Sequence, residues 1–122
     1  MAMLCRGLRG ATTAHDNTKE AVLEATTELL EHLVAANDIK PNDLAATFFT
    51  TSPDLNAEFP AVAARQMGWN YVPLMCGHEM NVPTGLPLCI RVMLLINTEK
   101  GPEEMAHVYL RDAKDLRSRG VS

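Results

Sequence analysis

The chain has 122 residues, 47% of them apolar, and a net charge of −4, which fits one folded domain over residues 1–122 and gives no indication of disorder. It has no cluster of Lys and Arg to meet nucleic-acid phosphates, and no run near the roughly 20 apolar residues of a membrane span. Residues 1–9 are too short for a signal peptide, and Cys5, Cys76 and Cys89 are scattered without a CxxC, so the expectation is a reduced, cytoplasmic protein.

Residues 3–9 form a short apolar stretch that reads as a strand ended by Gly10. Asn17 with Glu20 three residues on is a capping-box pattern with Asn17 as N-cap. Val22, Leu29, Leu30, Leu33 and Val34 recur at helical spacing, which predicts an amphipathic helix over about residues 18–36. Asn37, Asp38, Pro41 and Asn42 make a turn, and the Phe- and Thr-rich residues 45–51 a second strand. Pro53-Asp54 is another turn. Pro60 suits the first position of a second helix and Gly68 its stop. Residues 69–76 read as a third strand with an edge proline, Pro73, and residues 77–87 as an irregular loop. Residues 88–96 are the most apolar run and read as a buried strand. Gly101-Pro102-Glu103 starts a short helix, and residues 107–110 read as a last short strand.

The alternation predicts an α/β or α+β fold, here read as α+β, with a mixed sheet of about five strands and two main helices. Two helices leave part of such a sheet uncovered, which favours burial against other copies of the chain.

Arg91 lies inside the most apolar run. A guanidinium cannot escape burial by deprotonating, so a carboxylate of the protein, a carboxylate of a ligand or water in a cleft must meet it. Arg9, at the end of the first strand, can point into the same cleft; Arg65 falls on the second helix and Arg117 near the C-terminus. Two strand arginines in one small sheet suit a small dicarboxylate, because guanidinium grips carboxylate in a bidentate fork. Glu79, isolated in its loop, either neutralises Arg91 or hydrogen-bonds a ligand hydroxyl. Cys76-Gly77-His78-Glu79 matches no familiar zinc spacing, and a Cys–His nucleophile pair two residues apart on a turning chain is poorly placed. A buried, inert Cys76 on a pocket wall is the simpler role. His107 and Tyr109, separated by one residue, face one side of their strand, where the Tyr109 phenol can line the cleft.

Taken together, Leu8-Arg9-Gly10-Ala11-Thr12-Thr13, Ser52-Pro53-Asp54-Leu55, Phe59-Pro60-Ala61, Gly68-Trp69, Tyr71-Val72-Pro73, Cys76 with Glu79, Cys89-Ile90-Arg91-Val92-Met93 and His107-Val108-Tyr109-Leu110 resemble the small monofunctional chorismate mutases of the bacterial trimeric type. The likeness runs over residues 4–117, and the order and spacing of the motifs carry it. It implies a homotrimer with a pseudo α/β-barrel core, active sites at subunit interfaces, chorismate as substrate and no cofactor or metal. On the matching positions, Arg9 should bind the carboxylate of the enolpyruvyl arm, and Arg91 the same arm and its ether oxygen. Glu79 should meet the ring hydroxyl with Cys76 beside it, and Met75, Gly77 and His78 should border the substrate. Tyr109 should contact the side-chain carboxylate. Phe59 and Arg65 should come from the neighbouring subunit, and Leu116 and Arg117 should close over the site. The chain departs from the pattern at Val62, where a lysine is frequent, and at Met75, where a threonine is common.

The residues agree with the chemistry thus implied. A [3,3] rearrangement transfers no proton and needs no nucleophile. Negative charge grows on the ether oxygen as the C–O bond breaks, so a fixed cation there stabilises the transition state more than the substrate. The cleft must also hold the substrate compact. Two other readings suit an arginine in an interface cleft: a trimeric enzyme of the imine-deaminase type, and a non-catalytic trimer that senses a carboxylate metabolite. The residue 8–13 segment and the Cys76/Glu79 pair favour the mutase.

Overall fold

A computed structural model describes residues 2–116. Five strands form one mixed sheet: β1 (Leu4–Thr13), β2 (Leu44–Thr51), β3 (Leu74–His78), β4 (Cys89–Thr98) and β5 (Val108–Tyr109), in the order β3-β2-β4-β1-β5. The central pairs β1–β4 and β2–β4 are antiparallel, whereas the edge strands β3 and β5 run parallel to β2 and β1. Two α-helices, α1 (Lys19–Asn37) and α2 (Ala61–Gln66), accompany the sheet. The predicted α+β class with a five-stranded mixed sheet and two helices is therefore found.

Strand alternation divides the sheet into two unlike faces. Leu8, Phe49, Val92, Leu94 and Ile96 point to the helix side and join Leu29, Leu30 and Leu33 of α1 and Ala64 of α2 in the main core. Val22 and Ala25 of α1 pack on Ile90 in a second cluster. Arg9, Arg91 and Met93, with their register partners Ala11, Thr50 and Phe48, lie on the other face. That face keeps Phe48, Met75 and Met93 exposed. Ile90, Val92, Leu94 and Ile96 are thus buried on the helix side, while on the open side Cys89 is buried, Met93 exposed, and Arg91 half-buried rather than sunk in the core.

Several boundaries differ from the sequence expectation. Gly10 does not end β1, which runs on to Thr13. Its role is close approach: a Cβ there would lie 2.9 Å from Leu33 Cδ1, 3.1 Å from Leu29 Cδ1 and 3.2 Å from the Val108 carbonyl oxygen. Thr18, not Asn17, caps α1, its hydroxyl accepting from the Ala21 N–H at 3.1 Å. The Asn17 amide is engaged elsewhere, donating to Asn56 Oδ1 and accepting from the Asn56 and Ala57 N–H groups. Asn37, expected in the turn, is the last residue of α1. Its buried amide donates to the Leu33 and Ala106 carbonyls and accepts from the Ala106 N–H, so it positions the approach to β5.

Pro60 is the N-cap of α2, and Gly68 adopts φ +91° just beyond its end, as a helix stop requires. The chain then turns instead of entering a strand. Trp69 folds back into the core while Tyr71 is 97% exposed, and β3 starts only at Leu74. Pro73 has no N–H to give the ladder, although its carbonyl accepts from Thr47 at 2.9 Å. The predicted helix at Gly101 is a single 3-10 turn, Pro102–Glu104. Another 3-10 turn, Arg111–Asp115, follows β5 and was not anticipated. It folds onto the open face, where Ala113 and Leu116 bury against Ala11 and Cys89. No helix among the described residues is long and apolar enough to cross a membrane.

Candidate active site

Ala11 pairs with Arg91, and Arg9 with Met93, across the β1–β4 ladder. The two arginines are therefore diagonal neighbours on the open face, near enough for long side chains to converge. They line one cavity of about 200 Å³ together with Thr50, Glu79, Tyr109 and Leu116. The floor is rigid because β1, β4 and β2 are hydrogen-bonded in continuous register there. The Arg9 N–H donates to His107 Nδ1 at 3.0 Å, which ties the site to the segment leading into β5.

Glu79 meets Arg91, with Oε2 3.9 Å from Nε. That distance makes an ion pair, not a bidentate fork. Thr50 directs the carboxylate: its hydroxyl donates to Glu79 Oε2, while the Glu79 N–H donates to the Thr51 carbonyl at 2.8 Å. Thr50 is the register partner of Arg91, so one ladder rung fixes both members of the pair. A second cavity, about 450 Å³, lies beyond it between Ser52–Asp54 and the residue 80–87 loop, and shares Glu79 and Arg91 as a wall. Asp54 holds the end of that loop. Its two oxygens accept from the Leu88 N–H at 3.2 and 3.0 Å, where Leu88 takes φ +51°. Ser52 Oγ donates to Asp54 and accepts from the Cys89 N–H.

The Tyr109 hydroxyl is buried and has no hydrogen-bond partner among the described residues. A buried phenol without a partner is costly, and here it lines the cavity that holds both arginines.

Other expected site residues lie apart. Cys76 pairs with Phe49, on the helix side of β3, and lines a separate cavity of about 320 Å³ with Phe59, Gly77 and His78. Within one chain, Cys76 and Glu79 therefore face different spaces. Burial pushes the Cys76 thiol above its ordinary value, partly offset by a hydrogen bond from the backbone of Ala61. Cys89 is also raised, chiefly by burial, with the adjacent Arg91 guanidinium working in the opposite direction and Glu79 and Asp54 reinforcing burial. Both thiols are thus poor nucleophiles at neutral pH. His78 Nε2 lies 3.1 Å from the Leu55 carbonyl. Met75 is exposed on the open face, and Val62 sits on α2. Arg65 donates to the Trp69 carbonyl, closing the turn after α2. Leu116 reaches the arginine cavity; Arg117 lies outside the described residues. No group of three or more His, Cys, Asp and Glu side chains suited to a metal ion occurs among the described residues.

Sequence reasoning missed Thr50 and Asp54. Thr50 carried a strand-parity signal, standing two residues from Phe48 and so on the same face. Asp54 acts through loop geometry that no periodicity reports.

Comparison with known proteins identifies the family. The family model for chorismate mutase type I matches residues 5–119. The chain is 44% identical over 116 residues to the chorismate mutase AroH of Bacillus subtilis (strain 168), covering 94% of this chain and 91% of the relative. It is 47% identical over 115 residues to the chorismate mutase AroH of Thermus thermophilus, covering 93% and 94%. A solved chorismate mutase from Clostridium thermocellum superposes with a TM-score of 0.87 at 44% identity, covering 88% of this chain and 96% of that one. A match along nearly the whole length, in sequence and in fold, establishes that this chain belongs to the type I chorismate mutase family.

Proposed function

We propose that this chain, a chorismate mutase, converts chorismate to prephenate by electrostatic stabilisation and conformational restraint, without covalent or acid–base catalysis. The observation that carries the mechanism is the convergence of Arg9 and Arg91 from adjacent strands on one cavity that Glu79 and Tyr109 also line, the Tyr109 hydroxyl having no partner among the described residues. Chorismate carries two carboxylates, a ring hydroxyl and an ether oxygen. Arg9 binds the carboxylate of the enolpyruvyl arm. Arg91 binds that arm and faces the ether oxygen, where charge develops only as the C–O bond breaks. Glu79, aimed by Thr50, accepts from the ring hydroxyl, and Tyr109 donates to the side-chain carboxylate.

The remaining contacts come from a neighbour in a homotrimer. Phe59 and Arg65 lie away from the arginine cavity of their own chain, and Phe59 is 66% exposed, which supports their reaching another subunit's site. The open sheet face, with exposed Phe48, Met75 and Met93 among its charges, supports the same reading, because apolar side chains there gain by contact between copies. The free cysteines fit a cytoplasmic setting.

The test is an isosteric neutral replacement. Arg91→citrulline keeps the shape and removes the charge. Saturating turnover of chorismate should fall by at least about 10²–10³ fold, as on losing one oxyanion donor. Much of the substrate affinity should remain, because the ether oxygen is nearly neutral in the ground state. Arg91→Lys should recover only part of the rate, lacking the planar fork. Near-normal turnover with weakened affinity would instead make Arg91 a ground-state clamp and overturn the mechanism.

A further inference from the structure

We propose that Arg111 is a positioning residue for the substrate, holding the Leu116 wall of the arginine cavity from the far side of the sheet. This rests on the mutase reading of that cavity. Arg111 opens the 3-10 turn Arg111–Asp115 and takes φ +53°, a left-handed conformation uncommon for a residue with a long side chain. Its side chain bridges two faces of the molecule. Nη1 donates to the Thr13 carbonyl at 2.9 Å, at the end of β1. Nε donates to Glu28 Oε1 at 3.2 Å, and Nη2 reaches Glu24 Oε1 at 3.5 Å. Glu24 and Glu28 stand one turn apart on α1, so the planar guanidinium meets the end of a strand and one stripe of a helix together.

The turn so fixed carries cavity residues at both ends. Tyr109 lies two residues before Arg111, and the Leu110 N–H donates to the Ala11 carbonyl at 2.9 Å. Beyond Arg111 the Ala113 N–H donates to Leu110 and the Leu116 N–H to Ala113, which brings Leu116 over Ala11 and Cys89. A lone exposed ion pair contributes little. Here the guanidinium is about a quarter exposed and also satisfies a backbone carbonyl. His15 Nδ1 also approaches Glu24, at 3.8 Å, so Glu28 is the firmer partner.

The experiment compares Arg111→Gly with Arg111→Lys and with the Glu24→Gln/Glu28→Gln pair. Glycine accepts the positive φ, so Arg111→Gly removes the tie without forcing the backbone. Amide exchange at Ala113 and Leu116 should accelerate relative to β4, and KM for chorismate should rise about tenfold with kcat within about twofold, the size expected on losing charge-assisted hydrogen bonds. The double Gln variant should reproduce both effects, and Arg111→Lys should show smaller ones. Unchanged exchange and KM would make Arg111 a surface charge only. Faster exchange with unchanged KM would mean that the wall does not hold substrate. Parallel collapse of kcat, KM and helix content would make it a general fold residue. Each of these overturns the proposal. Absence of chorismate turnover in the unaltered protein would instead sink the mutase reading, which amide exchange does not depend on.

Discussion

Arg91 occupies the most apolar run of the chain without being buried in the core, because successive strand residues face opposite ways: Ile90 and Val92 enter the core, and Arg91 between them does not. Burial without a partner does occur on the helix side, where the Thr47 and Thr12 hydroxyls are buried and unbonded among the described residues. Thr47→Val keeps the branched shape and removes the unmet hydroxyl, so it should stabilise the protein by about 1 kcal/mol or more and leave activity intact. Thermal denaturation with a parallel chorismate assay checks both. The raised thiols give a prediction of opposite practical sign. Cys76 and Cys89 hold their protons more tightly folded than unfolded. Their contribution is complete below the ordinary thiol pKa and is lost as pH rises past it toward the raised folded values. Melting temperature should therefore decline on the alkaline side, and Cys89→Ala should flatten part of that decline. Turnover should stay nearly level across neutral pH, because the proposed chemistry moves no proton.

Elements whose residues speak through periodicity were legible: α1, β2 and β4 lie within a few residues of their predicted bounds. Strand position allowed Arg9 and Arg91 to share a cleft, but the register that sets them diagonal, Arg9 opposite Met93 and Arg91 opposite Ala11, was not legible. Less legible was whatever depended on a distant partner. Asn17 has the composition of a cap, yet the residue 56–57 backbone takes its amide. Residues 69–73 have strand-like composition, yet Trp69 is drawn into the core. Gly10 reads as a terminator until α1 and β5 are seen crowding its Cα. Gly10→Ala should push these elements apart and cost about 1–3 kcal/mol, as overpacking does. Because β5 carries Tyr109, the KM for chorismate should rise as well. A melting temperature equal to that of the unaltered protein would mean that the close approach is not needed.

For the whole molecule, the open face sets the expected assembly. Light scattering at micromolar concentration should give a trimer mass, and an active monomer would contradict the shared site. Subunit exchange between Arg9→Ala and Arg65→Ala proteins should restore part of the activity, since some mixed interfaces then carry both arginines. The same face has a consequence for evolution and for handling. Arg9 and Arg91 alternate there with Phe48 and Met93, so the residues proposed for assembly and for chemistry are interleaved on one surface. Substrate bound across such a seam acts as an adhesive. Dilution should silence the enzyme sooner without chorismate than with it, by the ordinary linkage of ligand to association. A substitution that loosens the seam would then go unnoticed in substrate-rich conditions and emerge only under scarcity.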